Sequence, residues 1–207
     1  MVPDLSLIIP EIAMAVLGLM VLVFGLIVPR ESRQGLGWLT AIALLGVAGL
    51  VLAGWNNSGN LYGNLYVVDQ FSQFFKITFL LAAFMVILGS MRYVDKHLGG
   101  QSEYYSTLLF AALGMMVMAS ANDLMTMYLG LELMTISFII LVCFRRTESK
   151  SLESGLKYVL LAGMSSAVLL YGMSLIYGLT GTVVISELGK TLALRGPIPI
   201  LMLGVVM

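Results

Sequence analysis

The chain has 207 residues, 59% of them hydrophobic and only 11% charged, with zero formal net charge and a mean hydropathy of +0.99. Soluble domains carry about 25% charged residues, so this composition excludes a water-soluble globular domain, and with no basic excess there is no electrostatic case for a nucleic-acid partner. One cysteine, Cys143, and one histidine, His97, cannot by themselves furnish a structural zinc site, an iron–sulfur cluster or a bis-histidine haem.

The apolar runs are continuous, not alternating, which predicts helices rather than a β-barrel. Five turn-rich or charged breaks divide the chain into six full spans and a partial seventh, an all-α polytopic transmembrane bundle. Span one runs from about Leu5 to Val28. It lacks a basic N-terminal region and a small-residue cleavage site, ending instead in Pro29-Arg30-Glu31-Ser32-Arg33, so it reads as a retained span and not a signal peptide. Glu11, after Pro10, is expected at the interface. Span two covers about Gly35 to Trp55, with Trp38 and Trp55 as interface anchors. Residues 56–68 are expected to be a polar loop. Span three covers about Asp69 to Tyr93 and contains Lys76, which is expected to snorkel outwards near its end. His97, beyond it, reads as a solvated loop residue. Span four runs from about Tyr104 to Ser120, and span five lies within Asn122 to Phe144, with Cys143 as a small buried hydrophobe. Span six covers about Ser151 to Tyr177 and stops at Gly178 and Gly181. A loop over 182–196 then leads to the apolar Ile198 to Met207.

The basic residues set the orientation. Arg30, Arg33, Arg92, Lys96, Arg145, Arg146 and Lys150 fall on one side of the spans, and Lys190 and Arg195 on the other. By the positive-inside rule the N-terminus faces outside.

Span five carries the chief candidate. Glu132 lies nine positions after Asp123 and thirteen before Arg145, hence roughly 14 Å and roughly 20 Å from the two ends at about 1.5 Å per residue. A carboxylate near the midplane costs about 2.5–3.5 kcal/mol by insertion scales. That cost points to a proton or ion site, the plainer alternative being a neutral acid hydrogen-bonded to a neighbouring helix. Tyr128 and Thr135, at i−4 and i+3, share its side of the helix. Asp123 falls on the opposite side and is expected to mark the membrane surface. Lys157, about five residues into span six, is the second candidate. Glu153 at i−4 leaves open an ordinary interfacial pair with the lysine snorkelling. The small-residue patch of Gly163, Ser165, Ser166 and Ala167 reads as close helix packing.

These residues resemble a known family. Ile9-Pro10-Glu11-Ile12 with the span after it, Leu131-Glu132-Leu133-Met134, and Glu153-Ser154-Gly155-Leu156-Lys157-Tyr158 with Ser165-Ser166, Leu169-Leu170-Tyr171-Gly172-Met173 and Tyr177 are similar to subunit N of bacterial respiratory complex I, the proton-pumping NADH–quinone oxidoreductase. The resemblance implies a proton-translocating, antiporter-like subunit in a bacterial inner membrane. Glu132 and Lys157 would then carry proton transfer, supported by Tyr128, Thr135 and Glu153. It implies no cofactor in this chain, with NADH, flavin, iron–sulfur clusters and quinone in partner subunits of the complex. It divides the chain into a three-helix segment, 1–100, and the start of an antiporter-like repeat, 101–207. The family's central lysine in a broken seventh helix, and the repeat beyond it, lie past Met207, so a second chain or a further C-terminal part is expected to supply them. The alternatives are a subunit of a multi-subunit cation/proton antiporter, which would have no redox partner, and a non-transporting membrane scaffold.

Overall fold

The computed structural model describes residues 5–27, 35–195 and 199–207. The Arg30 and Arg33 positions used for the topology, and the end of span one at Val28, lie outside the described residues. After a 3-10 turn at Leu5–Ile8 come α1 (Ile9–Ile27), α2 (Leu36–Ala53), a hairpin of β1 (Gly59–Leu61) and β2 (Tyr66–Val68), then α3 (Gln70–His97), α4 (Gln101–Ser120), α5 (Leu124–Val142), α6 (Ser149–Thr180), α7 (Ile185–Arg195) and α8 (Pro199–Val206). The polytopic helical fold is as the hydropathy requires. Among the described residues, five helices are long and apolar enough to cross a membrane, all but α4 of the six expected spans. At 20 residues, α4 is as long as its neighbours but carries Ser102, Glu103 and Ser106 in its first turns. It can be more polar because its neighbours cover it: α1, α3 and α5 all pack on it.

The core lies between α1, α2, α3 and α4, where Met14, Leu44, Ile87, Leu109 and Met116 are buried. Two close approaches fix the helix spacing. Ser106 of α4 donates to the Gly18 carbonyl of α1 at 2.8 Å. On the other side of α4, a Cβ on Gly114 would stand 2.6 Å from the Gly130 carbonyl oxygen of α5, and one on Gly130 would stand 2.8 Å from the Gly114 oxygen. The two backbones therefore touch, as small residues permit between membrane helices.

The residues between α2 and α3 are a hairpin and not the expected loop. Gly59 to Leu61 pairs antiparallel with Tyr66 to Val68, and the turn uses left-handed backbone at Tyr62, Gly63 and Asn64. The hairpin is held because it has a partner. Asn122, between α4 and α5, donates its backbone N–H to the Leu65 carbonyl at 2.9 Å and its side chain to the Asn64 carbonyl at 2.8 Å. On its other side the same connection bonds residues after α6, with Leu124 N–H to the Val183 oxygen at 3.0 Å and Ile185 N–H to the Asn122 oxygen at 2.9 Å. Hairpin, α4–α5 connection and α6–α7 connection thus form one strap across this end of the bundle.

Several boundaries differ from the sequence reading. α3 continues to His97, whose ring stacks on Tyr93 at 4.9 Å. α6 passes through Gly178 and ends only where Gly181 takes a left-handed backbone with φ 73°. Residues 185–195 are a helix, α7, and not a loop. α8 crosses α6 where Gly172 and Gly204 meet: a Cβ on Gly204 would stand 2.9 Å from the Gly172 oxygen.

Candidate functional site

α5 starts where Asp123 stops the preceding segment. Its Oδ1 accepts the N–H groups of Met125 at 2.9 Å and Thr126 at 3.0 Å, the usual remedy for unpaired helix-start donors. Asp123 is therefore a buried cap, a more specific role than a surface marker. The Gly130 contact presses one face of α5 against α4. Glu132 lies two residues further on, half-buried, and turns to α6. There Ser166 donates its hydroxyl to Glu132 Oε1. Tyr128 reaches both groups. Thr135 is half-buried one turn on and is not a partner of the carboxylate among the described residues. Ser166, which the sequence marks only as a packing residue, is thus the cross-helix partner of Glu132. Its position in a small-residue patch hid it; the patch is not a close helix contact, since Gly163, Ser165 and Ala167 are exposed and a Cβ on Gly163 would meet nothing within 4 Å.

Lys157 is not brought to Glu132. Its ammonium bonds Glu153 Oε1 at 2.6 Å, with the two side chains 70% and 63% exposed. Lys157 precedes Ser166 by nine residues on α6, which is about 14 Å of helix. The two candidates therefore hold different partners at different depths. Cys143 caps α5, half-buried against Gly155 of α6, where a Cβ would stand 2.5 Å from the Cys143 Cβ. No group of three metal-ligating side chains stands together among the described residues.

The sequence reading misplaced another pair. Lys76 does not snorkel, and Glu11 is not solvated. Lys76 Nζ lies 2.7 Å from Glu11 Oε1, with side-chain exposures of 1% and 5%. The reason is packing. Both residues lie within the first two turns of helices that start at the strap end, and the hairpin covers them. Tyr66 of β2 lies under the ammonium, 5.5 Å from ring centroid to Nζ. Its hydroxyl is pushed above the ordinary tyrosine range, first by burial and then by the Glu11 charge. The signal was available: two opposite charges at matching depth in two spans can cancel without leaving the bundle.

The chain is similar to known proteins over nearly all of its length. Residues 121–207 match the family described as NADH:quinone oxidoreductase/Mrp antiporter, TM. It is 56% identical to NADH-quinone oxidoreductase subunit N of Desulforamulus reducens, over 99% of this chain and 43% of that protein. It is 47% identical to subunit N of Moorella thermoacetica, over 98% of this chain and 42% of that protein. Among solved structures, a chain of respiratory complex I from Thermus thermophilus matches with a TM-score of 0.74 and 28% identity, over 95% of this chain and 41% of the other. The chain therefore spans about two-fifths of the length of the curated relatives it matches.

Proposed function

The chain is homologous to NADH-quinone oxidoreductase subunit N, and from that premise we propose that it is part of a proton-translocating membrane-arm subunit, with Glu132 as a proton carrier. The observation that supports this is the single carboxylate on the apolar α5, bonded across the helix boundary to Ser166. A midplane acid is costly when ionised and much less so when protonated. A carboxyl can take up and release a proton, which a relay requires and an amide in its place does not offer. Tyr128 and Ser166 orient the acid. Lys157, with Glu153, is the next station towards the opposite membrane face, and about 14 Å of helix calls for water or another helix between them.

In this reading the chain holds no redox centre. NADH, flavin, iron–sulfur clusters and quinone belong to partner subunits, and charge changes there shift the proton affinities of Glu132 and the lysines. The subunit sits in a bacterial inner membrane, N-terminus outside, with α4 as a sixth span and α8 beginning a seventh. Residues 1–100 form an N-terminal segment and 101–207 the start of an antiporter-like repeat. The family description also covers Mrp antiporters. Co-purification with flavin and iron–sulfur subunits favours the oxidoreductase, and their absence the antiporter.

The test uses membrane vesicles with pumping and complex content measured together. Glu132→Gln keeps shape and hydrogen bonding but cannot exchange a proton, so it is expected to lower pumping while complex content stays near wild type. Normal pumping with Gln, beside lost assembly with Glu132→Ala, would make Glu132 a packing residue.

A further inference from the structure

We propose that Glu11 and Lys76 form a second proton-binding site, separate from Glu132, that exchanges with water at the strap end of the bundle. Four elements build it. Glu11 comes from α1 and Lys76 from α3, Tyr66 comes from the hairpin, and Ser120, buried at the end of α4, lies beside Tyr66. Enclosure alone does not account for the charges. Apolar residues of similar volume in place of a buried ion pair are often neutral or stabilising, so a clamp between α1 and α3 needs no ions. Glu11 Oε2 also has no hydrogen-bond partner among the described residues, although it is buried.

The route to water lies over Lys76. A cavity of about 240 Å³ is lined by Lys76 and Gln73 of α3, Gly54 and Asn57 beyond α2, and Ser6 and Pro10 at the start of the chain's first helix. It has room for several waters at about 30 Å³ each. Gln73 fixes its wall, donating to the Gly54 carbonyl at 2.7 Å and the Asn57 carbonyl at 3.0 Å. Lys76 lines this cavity and touches Glu11, so it stands between the carboxylate and the water. The exchange step is then short. A Lys76 N–H bond breaks as an O–H bond forms at Glu11 Oε1, leaving amine and acid. The amine takes a proton from hydronium in the cavity, and the pair has gained one proton overall. Among the described residues no third charge forms an ion pair with the two. The α2 side presents backbone and apolar residues such as Leu50 and Val51. The hairpin presents Tyr66 and α4 presents Ser120. Of the other described carboxylates at this end, Asp69 and Asp123 cap α3 and α5, and Glu187 of α7 accepts from the Thr182 hydroxyl at 2.6 Å.

The test does not use pumping, so it stands or falls apart from the role of Glu132. Native membranes holding the assembled complex are treated with dicyclohexylcarbodiimide, which reacts with protonated carboxyls, across about pH 6 to 9. Products at Glu11, either the carbodiimide adduct or the amide to Lys76 that forms with loss of the urea, are then counted together by peptide mass spectrometry. Wild type is expected to label, with the yield falling about tenfold per pH unit above the midpoint. A water-soluble carbodiimide is expected to reach the same residue. Lys76→Arg keeps the charge pair, but its guanidinium does not give up a proton, so labelling near pH 7 is expected to be lost. Neither a Glu11 adduct nor a Glu11–Lys76 amide at any pH would make the pair a fixed clamp and overturn the proposal. Labelling by the lipid-soluble reagent alone would overturn the aqueous route, and equal labelling in Lys76→Arg the part given to Lys76. Should that variant fail to assemble, the wild-type pH profile decides.

Discussion

Lys76 and Lys157 invite direct comparison. Each lies in an apolar helix, and each holds a glutamate oxygen, at 2.7 Å and 2.6 Å. Yet the first pair is enclosed and the second is mostly exposed. The difference lies in where the partner comes from. Glu11 belongs to another helix, so pairing draws α1 and α3 together beneath the hairpin. Glu153 belongs to the same helix one turn earlier, so pairing brings nothing to α6 from outside. Identical chemistry therefore serves closure in one region and leaves a face available in the other. The same contrast runs through the neighbouring apolar residues: Leu80 and Ile87 of α3 are buried, while Leu156, Leu160 and Leu161 of α6 are exposed.

One substitution applied at both sites sharpens this contrast most. Lys76→Met should cost about 3–5 kcal/mol, because Glu11 would be left as an uncompensated buried charge. Adding Glu11→Leu to it should recover much of that loss, since an apolar pair removes the stranded ion. Thermal unfolding of the purified complex, followed by loss of this subunit, reads both. Little loss in Lys76→Met would mean that Glu11 takes up a proton when its partner is gone and is not left as a charge.

Next in size is the contact that carries α5 on α4. Gly130→Ala places a methyl against the Gly114 carbonyl and should cost about 1–3 kcal/mol through forced separation of the helices. Under the role proposed for Glu132 it should also lower pumping, because Glu132 moves with α5. A variant that keeps full stability and pumping would show that the helices part freely there. Asp123→Ala removes the α5 cap and should cost about 1 kcal/mol, visible as faster amide exchange at Met125 and Thr126. Lys157→Met closes the series. Its exposed pair should contribute less than about 1 kcal/mol, so complex content should hardly change. A loss as large as that of Lys76→Met would break the comparison and show Lys157 to be enclosed by a partner.

The site is partly legible in the sequence. The position of Glu132 follows from counting residues along one helix, and its nearness to Tyr128 follows from helical spacing. Ser166 is not legible there, since its partner lies 34 positions away on another helix and the register between two helices is set by contacts such as Gly114 with Gly130. The hairpin is hidden for a similar reason. Three-residue strands of mixed polarity are too short to show a period of two, and they persist because Asn122 binds the turn.

The sequence by itself determined that this chain is a helical membrane protein, roughly where its apolar helices fall, and that Glu132 lies near the middle of one of them, because hydrophobic length and helical rise are local quantities read along one segment. Its family resemblance rested on such local patterns too. Only the tertiary structure decided which charges are enclosed. An interfacial lysine and a buried one look alike in sequence, since a long side chain can either reach water or meet an opposite charge, and the choice depends on which helix lies beside it. For Lys76 that neighbour is α1, bringing Glu11 from 65 residues earlier in the chain.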